Sequence, residues 1–189
     1  VRNYPNAWFK MTENIEFTAA DFTEGGAFYN SGSGWQPVGS EETPFMGIFD
    51  GDGHTITGLK QNISGTSTVY GGLFGYVRGS TIRNLGMVDS EIAVNSSSGN
   101  AYAGGIAGYV RSGTISNCYN TGSVTALTSA TYTGNARAGG IAGYMSGKGT
   151  ISNCYNTGSV TATGSSSKAG GIAGSVDGTI SNCYNTGSV

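Results

Sequence analysis

The chain is poor in charge. Asp, Glu, Lys and Arg make up 11% of its 189 residues, where ~25% is usual. With 37% apolar residues and a net charge of -2, it lacks the self-repulsion and low hydrophobicity of a disordered solvating chain. It also lacks the clustered basic excess that favours nucleic acid or an anionic membrane surface. Proline is scarce, at 3 residues, and the 34 glycines never recur at every third position, so a collagen triple helix is excluded. No apolar run approaches the roughly 20 residues of a membrane helix, and no charged-then-apolar signal segment opens the sequence. Strong helix formers are few. Gly, Ser, Thr and Asn dominate, which lowers helix propensity in nearly every window and suits short strands joined by tight turns. The chain reads as all-β.

What is present is unevenly placed. Residues 1–53 hold 8 of the 11 acids against Arg2 and Lys10, whereas residues 101–189 hold Arg111, Arg137, Lys148 and Lys168 against Asp177. The first 49 residues carry both tryptophans, all 3 prolines and 6 of the 7 phenylalanines. Val1 begins in polar sequence and Val189 stops inside a motif, as expected of a piece of a longer precursor.

Internal repetition decides the architecture. GTISNCYNTGSVT at 113–125 recurs letter for letter at 149–161, and GTISNCYNTGSV closes the sequence at 178–189. AGGIAG precedes each copy, at 103–108, 138–143 and 169–174. A diverged copy runs through GGLFGYV at 71–77 and STIRNLGMVDSEIAV at 80–94, and a further one is read at FMGIFDGDGHTITGL, 45–59. Taking the Ile of each Thr-Ile pair as marker, Ile56, Ile82, Ile115, Ile151 and Ile180 are separated by 26, 33, 36 and 29 residues. The length variation falls in segments 95–102, 127–137 and 163–168, which are expected to be loops on one edge of a repeating body.

Units this short, with no room for a helix, fit one coil of a β-solenoid. A single coil cannot bury its inward side chains, but stacking coils ~4.8 Å apart turns every repeated position into a ladder. The reading is about five coils: a capping segment over residues 1–44, rich in Trp8, Phe9, Phe17, Phe22, Phe28 and Trp35, then repeats at about 45–70, 71–102, 103–137, 138–168 and 169–189. Nothing comparable to the cap follows Val189, so the last coil is expected to be an open sheet edge.

GGLFG at 71–75, with GGIAG at 104–108, 139–143 and 170–174, resembles the GLUG motif repeat of bacterial surface and secreted proteins. FKMTENIEFT at 9–18, WQPVGS at 35–40 and FDGDGHTITGL at 49–59 resemble the segment that commonly precedes such repeats. The resemblance implies a right-handed parallel β-helix and an extracellular location, secreted or on the bacterial cell surface. It implies a non-catalytic repeat module of a large protein, serving as a rigid stalk or adhesive surface. The alternative is an accessory region of a secreted hydrolase such as an immunoglobulin A protease, with its active site elsewhere. The replacement of Leu73-Phe74 by Ile-Ala in the later units predicts a slimmer core there.

The candidate site residues follow from the ladder. Cys118, Cys154 and Cys183 recur at one position, Leu85 takes that position in the diverged unit, and the only histidine is His54; a buried apolar column fits better than a metal centre or an inter-coil disulfide. Because strand side chains alternate, Tyr119, Tyr155 and Tyr184 are then expected to face outward as an aromatic ladder that stiffens the sheet or contacts sugars or a protein. Asn117, Asn153 and Asn182 suit left-handed turns and amide stacking. Calcium binding of the β-roll type is excluded because Tyr109 and Tyr144 stand where aspartate is needed. The glycine pairs lack the GKS or GKT of a phosphate loop and read as coil corners. Asp89 with Glu91, read as lying on one strand, and His54 with Asp50 and Asp52 are the remaining polar clusters, too thin for an active site. No catalytic residue, cofactor or metal is assigned. The partners expected are a host glycan or host protein and, through the open last coil, another copy of the chain; neither nucleic acid nor membrane insertion is expected.

Overall fold

The computed structural model describes residues 1–130 and 134–189; residues 131–133, within the expected loop 127–137, lie outside the described residues. Strands and tight turns, with two short 3-10 turns at Ala19–Phe22 and Asn30–Gly32, wind into a parallel β-solenoid of about four turns rather than five. Among the described residues no helix is long and apolar enough to cross a membrane.

Each repeat makes one circuit through five strand positions, and every position becomes a ladder. The Thr-Ile-Ser ladder contains Trp8–Lys10, Ile48–Asp50, Thr81–Arg83 and Thr114–Ser116, continued by the second halves of Ala142–Ser152 and Ala173–Ser181. The tyrosine ladder contains Ile15–Glu16, Thr55–Thr57, Gly86–Val88, Tyr119–Asn120, Tyr155–Asn156 and Tyr184–Asn185. Then follow the Ser-Val-Thr ladder of Lys60–Gly65, Glu91–Ser96, Ser123–Thr128 and Val160–Thr163, and the Ala-Gly ladder of Val69–Gly71, Ala101–Gly104, Ala136–Gly139 and Lys168–Gly170. The circuit closes on the Tyr-Val ladder of Phe74–Arg78, Ala107–Arg111 and the first halves of the two long strands.

β-Branched residues supply these strands because a pleated, half-buried surface suits them. Alternation does the rest: Ile115, Val124 and Ala126 are buried while Thr114, Ser116 and Thr125 are partly exposed.

One register expectation is overturned. Ile56 does not mark the Thr-Ile-Ser position of the first unit; it pairs with Ile15 and Met87 in the tyrosine ladder. The partner of Ile82 is Phe49. The spacings from Phe49 to Ile82, Ile115, Ile151 and Ile180 are therefore 33, 33, 36 and 29 residues. Thr55-Ile56 looks like the motif locally, but Phe49 fills the core slot, and the turn between them, with Asp52 at φ 53°, uses up the intervening residues.

The aromatic-rich segment joins the ladders as well as packing on their end. Trp8–Lys10 and Ile15–Glu16 each add one parallel strand, while Phe17, Phe22, Phe28 and Trp35 form a cluster with Phe17 edge-on to Phe28 at 5.0 Å. In the core, Phe45, Phe49 and Phe74 meet at 4.9 and 5.4 Å. Above them Ala107 and Ala142 occupy the Phe74 position, so a smaller side chain fills that core slot in the later turns. At the opposite end the last turn lies open: Ile180 is 41% exposed, whereas Ile151 directly beneath it is 0% exposed.

Candidate functional site

Tyr119, Tyr155 and Tyr184 stand in register on consecutive turns. Their rings stack face to face, with centroids 4.8 and 5.1 Å apart and planes within 2° and 5° of parallel, so the rings repeat at the spacing of the backbone. The column ends on Gly86, whose lack of a side chain lets the Tyr119 ring lie across it; a methyl group there would collide with that ring. Tyr119 and Tyr155 are half-buried and Tyr184 is exposed. Burial, reinforced by the flanking hydroxyls of Tyr119 and Tyr184, raises the Tyr155 pKa above its ordinary value. A shallow cavity of about 380 Å³ at the foot of the column is bordered by Asp52, Asn84, Asn117 and Tyr119.

Behind this column, Leu85, Cys118 and Cys154 are each 1% exposed, and Cys183 is partly covered. The thiols are free and internally satisfied. Each donates to the carbonyl two residues back, Ser116, Ser152 and Ser181, at 3.2 Å, and the N–H groups of Cys118 and Cys154 donate to the Sγ of the next turn at 3.4 and 3.3 Å. Burial pushes the Cys118 thiol well above its ordinary pKa. Among the described residues no group of three or more His, Cys, Asp or Glu could hold a metal ion.

The two asparagines of each Asn-Cys-Tyr-Asn motif divide the work. Asn84, Asn117, Asn153 and Asn182 occupy left-handed turns at φ 52–55°, and Asn117 Nδ2 donates to Asn84 Oδ1 at 3.1 Å. The continuous amide ladder, however, runs through the second asparagine. Asn120 donates to Asn156 at 2.9 Å and Asn156 to Asn185 at 2.8 Å. These amides press against Gly105, Gly140 and Gly171, where any side chain would strike them. The glycine pair at the corner and the buried asparagine are thus one packing unit.

The polar clusters separate. Asp89 is at a left-handed corner with φ 47°, outside the strand Glu91–Ser96, and Glu91 pairs with Lys60 at 3.2 Å; the expected shared strand is corrected accordingly. His54 bonds Asn14 at 3.1 Å, Asp52 pairs with Lys10 at 2.9 Å, and Asp50 pairs with Arg83 at 2.8 Å. Burial opposes ionisation of Asp50, yet hydrogen bonds from Asn84, the Asp52 N–H and Arg83, together with the Arg83 charge, carry its pKa below the ordinary value. Three structural tethers result, with no acid left paired to the histidine.

Residues 99–125 and 134–161 match the family model of the GLUG motif. These two segments are GLUG repeats. Each begins just before an Ala-Gly strand and ends in a Ser-Val-Thr strand, so one GLUG repeat is one turn of the solenoid. The chain is also similar to Halomucin of Haloquadratum walsbyi, 37% identical over 73 residues, covering 37% of this chain and 1% of that protein. A candidate Gly-rich membrane protein of Evansella cellulosilytica is 33% identical over 100 residues, covering 51% of this chain and 10% of its own length. The chain therefore matches only a small part of either curated relative. Among solved structures, a candidate immunoglobulin A1 protease of Bacteroides ovatus superposes with a TM-score of 0.60 at 23% identity, covering 94% of this chain and 68% of that one. That likeness shows the fold.

The turns of the solenoid also assemble an aromatic cluster that the sequence pattern did not reveal. Tyr70 and Tyr102 of the Ala-Gly ladder meet Tyr76, Tyr109 and Tyr144 of the Tyr-Val ladder, with neighbouring centroids 4.6–5.8 Å apart. The available signal was the tyrosine after three of the four repeated Gly-x-x-Gly corners, at 76, 109 and 144. Its partners fall on a ladder that reads Tyr70, Tyr102, Arg137 and Lys168 through successive turns, so the column does not repeat as one letter.

Proposed function

We propose that this chain is a non-catalytic GLUG-repeat module of a larger extracellular protein, where it acts as a rigid spacer that holds other parts of that protein away from the surface bearing it. The observation carrying this reading is the parallel register that recurs from turn to turn, shifted between the last two long strands only where an irregularity falls between Met145 and Gly149. Thr150, Ile151 and Ser152 pair with Thr179, Ile180 and Ser181, and Tyr155 with Tyr184, so the last two turns meet through the same residues at these ladders. In such stacks stability is a sum of nearest-neighbour terms and length scales with repeat number. The relatives named as a mucin and a membrane protein support a place at or outside the cell surface. Outward-facing Tyr119, Tyr155 and Tyr184 offer a flat surface for a host glycan or protein, and the open last turn offers an edge for a second copy.

Inserting four further copies of residues 149–177 tests the spacer reading by small-angle scattering. The expected outcome is a rod lengthened by ~19 Å, four steps of the strand spacing, at constant cross-section. Unchanged length or a collapsed chain overturns it.

A second reading, an accessory region of a secreted hydrolase, draws on the likeness to the candidate immunoglobulin A1 protease. A protease domain in the same open reading frame would favour it.

A further inference from the structure

The 9 basic side chains fall into two sets. Lys10, Lys60 and Arg83 each hold an acid, and Arg2 lies over Trp35 at 4.5 Å while donating to the Gln36 carbonyl. The other five, Arg78, Arg111, Arg137, Lys148 and Lys168, form no ion pair among the described residues. All five lie along two adjoining ladders, Ala-Gly and Tyr-Val, or on the long strand that continues the latter.

Their arrangement is unfavourable by itself. Arg78 is in register with Arg111, and Arg137 with Lys168. In-register neighbours sit ~4.8 Å apart, and like charges directly opposite on one sheet face are destabilising. The chain has 11 acids, but among the described residues none pairs with these five cations, and the Glu41 carboxylate accepts the Tyr70 hydroxyl at 3.0 Å. Repulsion is left uncompensated where neutralisation was available elsewhere in the same molecule.

Between the two columns of cations runs the tyrosine cluster. Tyr76 and Tyr109 stack at 4.6 Å, Tyr144 stands edge-on to Tyr109 at 5.1 Å, and Tyr70, Tyr109 and Tyr144 are half-buried, their outer edges reaching solvent. The Arg137 guanidinium lies 4.1 Å from the Tyr144 centroid and 5.6 Å from that of Tyr102, and its Nε is buried with no hydrogen-bond partner. The band crosses four turns, ~14 Å along the axis.

We propose that this band binds an acidic polysaccharide, a chain whose sugars run along the solvent-facing edges of Tyr70, Tyr109 and Tyr144 while its sulfate or uronate groups meet Arg78, Arg111, Arg137, Lys148 and Lys168. Aromatic rings with hydroxyl tips suit a ligand with apolar ring faces and polar edges, and guanidinium groups suit carboxylate and sulfate oxygens. The ligand supplies the negative charge that the protein withholds, relieving both like-charge stacks. A nucleic acid is disfavoured because the chain as a whole is acidic, with a pI near 5.2, where a nucleic-acid module is typically basic. The proposal does not rest on the spacer reading, and a rod that binds nothing here would still be a spacer.

Calorimetric titration of the 189-residue chain with heparin, hyaluronate and neutral dextran tests the proposal. Binding of heparin (sulfate and uronate) or hyaluronate (uronate alone) is expected at low salt, weakening as salt rises, with no heat from dextran. Arg78→Gln with Arg111→Gln should weaken binding at least about tenfold, as expected when charge-assisted hydrogen bonds are lost, without lowering the melting temperature. Lys60→Gln, which removes a cation on the Ser-Val-Thr ladder that is paired with Glu91, should leave affinity unchanged. Failure of both acidic glycans to bind overturns the proposal, as does unchanged affinity in the double arginine variant. Single-stranded DNA binding as tightly as heparin also overturns it, by showing a general polyanion effect.

Discussion

Asn120 donates through Nδ2 to Oδ1 of Asn156 at 2.9 Å, and both side chains are 0% exposed. Each amide also donates to the carbonyl two residues ahead, Gly122 or Gly158, at 2.8 Å. A polar column therefore runs inside the stack, and its satisfaction depends on an unbroken succession of asparagines.

Replacing the central member should show this. Asn156→Ala removes a partner from both Asn120 and Asn185, and a loss of about 1–3 kcal/mol is expected because buried amide groups are left short of hydrogen bonds. Asn182→Gly, at a left-handed turn that glycine adopts without strain, should change stability by no more than ~0.5 kcal/mol. Urea unfolding of the two variants checks the contrast, and equal losses would contradict it.

Position along the stack should outweigh residue identity. Ile151 and Ile180 occupy the same letter of the same motif, yet one is 0% and the other 41% exposed. Ile151→Ala should cost about 2–5 kcal/mol, the range for emptying a core isoleucine site, and Ile180→Ala less than half of that. Thermal unfolding of the pair gives the comparison.

Thiol reactivity should follow the same gradient. Burial raises the pKa of both Cys118 and Cys183, but only Cys183, on the open last turn, is accessible in part. Brief treatment of the folded chain with a thiol reagent should label Cys183 first and leave Cys118 and Cys154 protected until denaturant is added. Peptide mass spectrometry reads the order. Rapid labelling of all three would show that the column is not buried in solution.

Acid sensitivity should map to Asp50. Its pKa is lower in the folded chain than the ordinary ~3.9, so the carboxylate contributes stability that is fully present above that value. The contribution is lost as pH falls through the folded pKa. Asp50→Asn should be less stable than the parent by roughly 1–3 kcal/mol at neutral pH, the scale of a charged hydrogen-bonded pair. The gap should narrow below about pH 4. Melting temperatures of both proteins at neutral and acid pH test this, and a gap independent of pH would place the effect elsewhere.

Much of the fold was legible because three near-identical copies must occupy equivalent environments. Gly-Thr-Ile-Ser-Asn-Cys-Tyr-Asn repeats letter for letter, and stacking equivalent units in register is the arrangement that satisfies all three at once. The first unit was harder. Thr55-Ile56 imitates the motif, and only the packing of Phe49 over Ile82 shows that Ile56 belongs one strand further on. Local resemblance carries no information about which core slot a residue fills.

The candidate surfaces divide in the same way. Tyr119, Tyr155 and Tyr184 could be seen from the sequence because each turn carries the same letter. The band of tyrosines and cations could not, since its columns read Tyr, Tyr, Arg, Lys and Tyr, Tyr, Tyr, Ser through successive turns. The sequence by itself determined that this chain is a ladder, because a repeated strand with alternating apolar positions can bury itself only against its own copies. The tertiary structure alone decided which unlike residues share a face, because loop lengths between strands set the register, and register places Arg78 beside Arg111 and Arg137 beside Tyr102.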